Sequence, residues 1–287
     1  MVIILKINKT IDPIIIKEPA VNLFKTLGKV IKEISFLGKG EGSAIFKIVT
    51  QDSTYCLKTA LYPERTQKIL NEVKIRNYFI EKGLQFVPAP KHSDKEFFRN
   101  GAVIYDFVEG NLSVFDNENI IKKMAHNLAE IHKLDYKIKI NGLEHMMMNH
   151  QFLMSTINRL ETNYSYLVNP SISKAFTQAL TEYENIILEN KSLFLYGISG
   201  ILHGDLSDNF ITDPQGKIWL VDWENSEYGD ILDEICTFVY DNDIEGDLRK
   251  LFFNEYKIHF TPASQLDLEK IGLFYICVMP VFNLCWG

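Results

Sequence analysis

Asp205, Asn209 and Asp222 carry hard oxygen atoms, and all three fall in one stretch, Ile201 to Glu224. The stretch reads as a polar turn bearing His203, Asp205 and Asn209, followed by a β-hairpin that ends at Asp222. Asp213-Pro214-Gln215-Gly216 supplies the turn, because Pro at the second position and Gly at the fourth suit type I. Phe210–Thr212 and Lys217–Val221 are then the strands. A tight turn sets Thr212 opposite Lys217 and Asn209 opposite Leu220. Asp222, two residues beyond Leu220, shares its face, since side chains alternate with period two. In this register Asn209 and Asp222 reach one point in space; a bulge at the turn would break it. A converging amide oxygen and carboxylate suit Mg²⁺. The chemistry such a group serves is phosphoryl transfer, with Asp205 accepting the proton of an attacking hydroxyl while Asn209 and Asp222 hold the ion that neutralises the phosphates.

Other elements must position the phosphates. Val30 to Thr50 reads as strand, turn, strand, with the turn at Gly38-Lys39-Gly40-Glu41-Gly42-Ser43. Glycines there let backbone amides approach phosphate oxygens, although a plain hairpin turn explains them equally well. Tyr55 to Lys58 reads as a strand ending in Lys58, and Gln67 to Glu81 as a helix with Glu72 beside the buried Ile69 and Val73. A strand lysine on the phosphates, braced by a helix glutamate, is the arrangement of protein kinases.

The order of these parts carries a resemblance. His203-Gly204-Asp205, Asn209, Val221-Asp222-Trp223-Glu224, Gly229-Asp230 and Asp233 resemble the catalytic core of the aminoglycoside phosphotransferase and choline kinase family, which has the protein-kinase-like fold. The resemblance implies Asp205 as catalytic residue. It implies Gly38, Gly40, Gly42, Ser43, Lys58 and Glu72 on the nucleotide, and Asn209 and Asp222 on the metal. It also implies Tyr105 behind the adenine, with the backbones of Asp106 and Val108 on the purine edge. One departure is visible: the Asn follows the Asp by four residues where the family has five, so either the loop is a residue shorter or Asp208 takes part of the metal role. Asp230 suits a helix N-cap.

Asn119 to Leu134 has apolar residues at helical spacing, with Asn117 or Asn119 as cap. His126 and His132 on it read as core or helix-face histidines. Gln151 to Tyr164, Ser173 to Glu189 and Leu266 to Trp286 read as further helices. By resemblance, residues 143–195 form the insert that walls the acceptor pocket. Trp223, Tyr228 and Trp286 are candidates for an aromatic cage around a quaternary ammonium, with core packing the plainer reading of each. Residues 1–20 carry β-branched runs, Val2–Leu5 and Ile14–Ile16, that suggest strands.

A net charge of −7 with no basic run argues against a nucleic-acid partner. Four cysteines with no metal spacing read as reduced thiols of a cytoplasmic protein. No run approaches the roughly 18 apolar residues of a membrane span, and the N-terminal MVIILKINK lacks the marks of a signal peptide.

The expected architecture is α+β and two-lobed. Residues 1–105 form a small antiparallel β lobe with one helix, residues 106–287 a larger, mainly helical lobe, with a hinge near 105–110 and MgATP between them. The expected activity is ATP- and Mg²⁺-dependent phosphorylation of a hydroxyl on a small, cationic acceptor of the choline or ethanolamine kind. The alternatives are an aminoglycoside O-phosphotransferase and an inactive nucleotide-binding relative. The absence of Asp-Phe-Gly and Ala-Pro-Glu segments argues against a protein substrate.

Overall fold

Ile14-Ile15-Ile16 opens a helix, α1 (Ile14–Thr26), where the β-branched run suggested a strand. Burial decides this: Ile16, Ala20, Leu23 and Phe24 are buried at helical spacing, while Ile14 and Ile15 are each 69% exposed. An amphipathic period outweighs the β-propensity of three residues. The Asp12 side chain accepts a hydrogen bond from the Ile14 amide at 2.9 Å and so starts the helix.

The computed structural model describes residues 12–112, 117–134, 145–146, 157–158, 162, 170–190 and 198–283. They divide into two compact units. Residues 12–112 and 203–226 make the first, and the remaining described residues the second.

In the first unit an antiparallel sheet of five strands runs in the order β1-β2-β3-β5-β4. The strands are β1 (Ile31–Lys39), β2 (Ser43–Thr50), β3 (Thr54–Ala60), β4 (Pro90–Asp94) and β5 (Ala102–Asp106). Alternation assigns its two faces. Phe46, Ile48, Tyr55, Leu57 and Ile104 pack under α1, and Ala60, Val103 and Tyr105 pack with Ile69 of α2 (Thr66–Glu81). This unit therefore holds two helices among its described residues, one more than expected. A second sheet joins β6 (Asn111–Leu112), β9 (Phe210–Thr212) and β10 (Ile218–Leu220). The Leu220 amide also bonds the Phe86 carbonyl at 2.9 Å, tying this hairpin to the rest of the unit.

The hairpin register differs by one residue from that expected. Thr212 pairs with Ile218, Ile211 with Trp219 and Phe210 with Leu220. The turn at Asp213 to Gly216 is made, with the Gly216 amide on the Asp213 carbonyl at 2.9 Å. Gly216, however, adopts φ +74°, which adds a residue to the loop in the manner of a bulged three-residue hairpin. Asn209 consequently stands opposite Val221, whose amide bonds its carbonyl at 2.9 Å.

The second unit is mainly helical. Its elements are α3 (Glu118–His132), α4 (Pro170–Glu189), α5 (Ile231–Asp241), α6 (Gly246–His259) and α7 (Leu268–Asn283), with β7 (His145–Met146), β8 (Ser199–Leu202) and β11 (Glu227–Asp230) in one small sheet. Helix α3 packs on α6, and α5 on α7. Asn117 caps α3 through the Asn119 amide at 2.8 Å. Asp230 caps α5 through the Leu232 amide at 2.9 Å and accepts a second bond from Tyr275 at 2.8 Å. His132 is a core histidine between Tyr256 and Glu234. The expected strand at residues 2–5, most of the helix at 151–164, and Trp286 lie outside the described residues. No helix among the described residues is long and apolar enough to cross a membrane.

Candidate active site

Lys58 points to the α2 face of the sheet because it shares the parity of Cys56 and Ala60 on β3, a strand that runs two residues past it. On α2, Glu72 follows Ile69 by three positions and so faces the same way. Both side chains are buried, Glu72 completely, and Lys58 Nζ lies 2.8 Å from Glu72 Oε2. The same ammonium lies 2.5 Å from Asp222 Oδ1 and 2.9 Å from Glu224 Oε2. The Glu224 contact is an ion pair by distance but lacks hydrogen-bond alignment, since that oxygen has no such partner. Arg76, one turn beyond Glu72, takes its other oxygen at 2.5 Å, donates to the Pro88 carbonyl at 3.2 Å and lies over the Tyr105 ring.

This is a buried charge cluster, stable only because it is paired. Burial pushes the Glu72 carboxyl up, but the charges and hydrogen bonds of Lys58 and Arg76 outweigh it and hold the group at about 2. Burial pulls Lys58 down, yet Asp222, Glu72 and Glu224 together raise it well above its ordinary range.

Asp222 reaches Lys58 by leaving the strand. Its backbone is left-handed, φ 61° and ψ 64°, with only Val221 between it and the end of β10, and a 3₁₀ turn at Trp223–Asn225 follows. A non-glycine residue in that region is uncommon, with Asp and Asn the best tolerated. Trp223 anchors the turn: it is 1% exposed, packs on Phe79 and His203, and donates to the Leu220 carbonyl. It is therefore a core residue and no part of an aromatic cage. His203, fully buried, has Nε2 2.8 Å from the Val221 carbonyl. Gly204 adopts φ +77°, and a Cβ there would meet the Asn225 carbonyl oxygen at 2.2 Å, so only glycine fits.

A cavity of about 190 Å³ brings together Lys58, Glu72, Asp106, Val108, Asn209 and Asp222. Asp208 lines it as well, beside Asn209. The strand alternation first invoked for Asn209 and Asp222 fails with the register, and the left-handed turn at Asp222 replaces it. Asn209 Nδ2 donates to the Asp205 carbonyl at 2.8 Å, which leaves the amide oxygen as an acceptor. Amide oxygen plus carboxylate is a donor set suited to a hard dication. Asp205 does not line this cavity. Its carboxyl is raised by partial burial and by the charge of Asp222, against the lowering effects of His203 and a hydrogen bond from Asn225.

The turn at Gly38–Ser43 also lies off the cavity, although Leu37 and Ile45 on either side line it. The Gly40 amide bonds the Ser43 carbonyl at 2.9 Å. A Cβ at Gly40 would meet nothing within 4 Å, and one at Gly42 would meet the flexible Arg65 side chain. A larger cavity, about 660 Å³, shares residues 106–109 but lies away from Lys58, between Leu84, Pro214 and Trp219. Among the described residues Cys56 and Cys236 are free thiols, and burial raises both, Cys56 to about 12.

Two members of the cluster were not singled out from the sequence. The spacing of Arg76, four beyond Glu72 on one helical face, was a usable signal. Glu224 was visible only as part of a motif, because the turn that brings it to Lys58 has no periodicity.

A family model described as the phosphotransferase enzyme family (APH) matches residues 33–265. A LicA homolog from Mycoplasma capricolum subsp. capricolum is 24% identical over 203 residues, covering 71% of this chain and 74% of that protein. Choline kinase LicA from Streptococcus pneumoniae has a similar structure, with TM-score 0.61, 19% identity, and coverage of 95% and 88% of the two chains. An ADP-bound aminoglycoside phosphotransferase gives TM-score 0.70 at 15% identity, covering 94% and 90%. The α+β fold is that of these small-molecule kinases.

Proposed function

The chain belongs to the phosphotransferase enzyme family, and on that premise we propose that it transfers the γ-phosphoryl group of ATP to a hydroxyl of a small cationic acceptor of the choline or ethanolamine kind. The observation that carries the reading is Lys58, braced by Glu72 and facing the same cavity as Asn209 and Asp222.

In this mechanism Lys58 leaves Asp222 for the phosphate oxygens while Glu72 keeps it aligned. The empty space around Gly40 gives the turn at 38–43 room to close its amides, with Ser43, over the same oxygens. The backbones of Asp106 and Val108 hold the purine edge. Asn209 and Asp222 would hold Mg²⁺, which when bound neutralises phosphate charge. Asp205 takes the proton of the acceptor hydroxyl as its oxygen bonds the γ-phosphorus and the bond to the β–γ bridging oxygen breaks. The raised pKa of Asp205 suits a base, since proton acceptance strengthens as pKa approaches working pH. Most of the acceleration is positioning and charge stabilisation.

Three facts support the acceptor class. The curated relative is a LicA homolog, the solved protein called LicA is a choline kinase, and this chain carries a net charge of −7. ATP turnover against choline, ethanolamine, several aminoglycosides and neutral sugars tests it. Preference for choline or ethanolamine is expected. A clear preference for an aminoglycoside would assign the other acceptor class, and no turnover with any would favour an inactive nucleotide binder.

A further inference from the structure

The second unit carries a separate cluster of metal-ligating side chains. His126 and Glu130 stand one turn apart on α3, and Glu255 and His259 one turn apart at the end of α6. Positions i and i+4 share a helix face, so each helix offers an imidazole and a carboxylate. The packing of α3 on α6 brings these faces together. The rings of His126 and His259 meet edge to face, with centroids 4.4 Å apart and planes at 80°. Ligand atoms of His126, Glu130 and His259 all lie within 4.8 Å of one another. Glu255 Oε1 lies 3.0 Å from Nε2 of His259.

His132 on the same helix shows what a packing histidine looks like here: it is buried, with both nitrogens engaged by core partners. His126 is instead exposed, and Glu130 and His259 are half-buried, so an ion can reach them without opening the fold.

We propose that His126, Glu130 and His259 form a surface site for a transition-metal dication of the Zn²⁺ class, which links α3 to α6. Imidazole nitrogen selects such ions over Mg²⁺ and Ca²⁺. Three protein ligands leave a fourth position for water. Ligand atoms about 2.0–2.1 Å from a tetrahedral ion lie roughly 3.4 Å apart, so small side-chain rotations close the present arrangement. Glu255 orients the His259 ring, as carboxylates do for metal-bound histidines. The ion must displace Lys133, which pairs with Glu130 at the surface, where such pairs are weak. This chemistry is distinct from the all-carboxylate group of Glu72, Asp222 and Glu224.

The test titrates the full chain with Zn²⁺ in metal-free buffer plus excess Mg²⁺, read by calorimetry and thermal melting. One Zn²⁺ bound at micromolar concentration, with a rise in Tm, is expected. His126→Ala and His259→Ala should each weaken that binding at least about tenfold and remove the rise, whereas the same change at His92, which lies on β4 in the first unit, should change neither. Co²⁺ should give visible absorption bands that both cluster variants lose. Both variants titrate in chelator first, so an intact Tm there separates lost binding from lost fold. No binding at micromolar Zn²⁺, or binding unchanged in both variants, overturns the proposal.

Discussion

Lys58 and Asp222, 164 positions apart in the chain, stand 2.5 Å apart, Nζ to Oδ1. One ammonium thus separates the carboxylates of Glu72, Asp222 and Glu224. Arg76 would still pair with Glu72, but removing Lys58 takes the cation from Asp222 and Glu224, and breaking a buried charge group in this way costs about 3–5 kcal/mol. Lys58→Met should lower stability by that order in urea denaturation, and added Mg²⁺ should recover part of it at the carboxylates. Stability equal to that of the unaltered protein would contradict the reading of Lys58 as the charge that holds the cluster.

Gly204→Ala should stall the loop that carries Asp205. Its φ of +77° disfavours any side chain, by about 1–2 kcal/mol, and the added Cβ meets the Asn225 carbonyl oxygen at 2.2 Å. Backbone must shift, so the variant should lose stability and turnover together. Melting temperature and ATP turnover measured on one preparation check this, and full turnover would show that the loop has more freedom than its geometry implies.

Much of the scaffold could be read from periodicity. The spacing that put Lys58 and Glu72 on facing elements is a local property of β3 and α2, and the cap at Asn117 is a residue type in its usual place. One error and the turn that offsets it each come from a left-handed residue. Gly216 at φ +74° shifted the hairpin by one position, and Asp222 at φ 61° then returned its carboxylate to the cavity. Pattern counting cannot see either, because the choice depends on how β9 and β10 twist and on the anchoring of Trp223. The Lys58–Asp222 contact has no local signal at all. Ile14–Ile16 misled because three β-branched residues say nothing about which of them is buried.

Asp233 offers a pH test of stability. Its Oδ1 is sealed from solvent and lacks a hydrogen-bond partner, although the residue as a whole is half-buried. Burial first, then the charges of Asp230, Glu227 and Glu234, raise its carboxyl well above 3.8. A raised acid stabilises the folded state below its unfolded pKa, and that contribution is lost as pH rises through the folded value. Asp233→Asn should therefore gain stability relative to the unaltered protein as pH rises above 3.8. Melting curves across the acidic to neutral range check this; a pH-independent difference would contradict it.

Glu72 should behave oppositely. Its folded pKa of about 2 lies below the unfolded 4.5, so its contribution is full above 4.5 and fades as pH falls through about 2. The stability gap between the unaltered protein and Glu72→Gln should shrink across that window. A gap that stays constant from neutral pH down to the acid limit would contradict the assignment of Glu72 as an ionised partner of Lys58 and Arg76.

The most direct measurement pairs turnover with nucleotide binding in Asp205→Ala, using the best acceptor of the panel. Phosphoryl transfer should fall by at least about a hundredfold, while ATP in the presence of Mg²⁺ still raises Tm as in the unaltered protein. Undiminished transfer by that variant would contradict Asp205 as the base and, with it, the account of this cavity as a phosphoryl-transfer site.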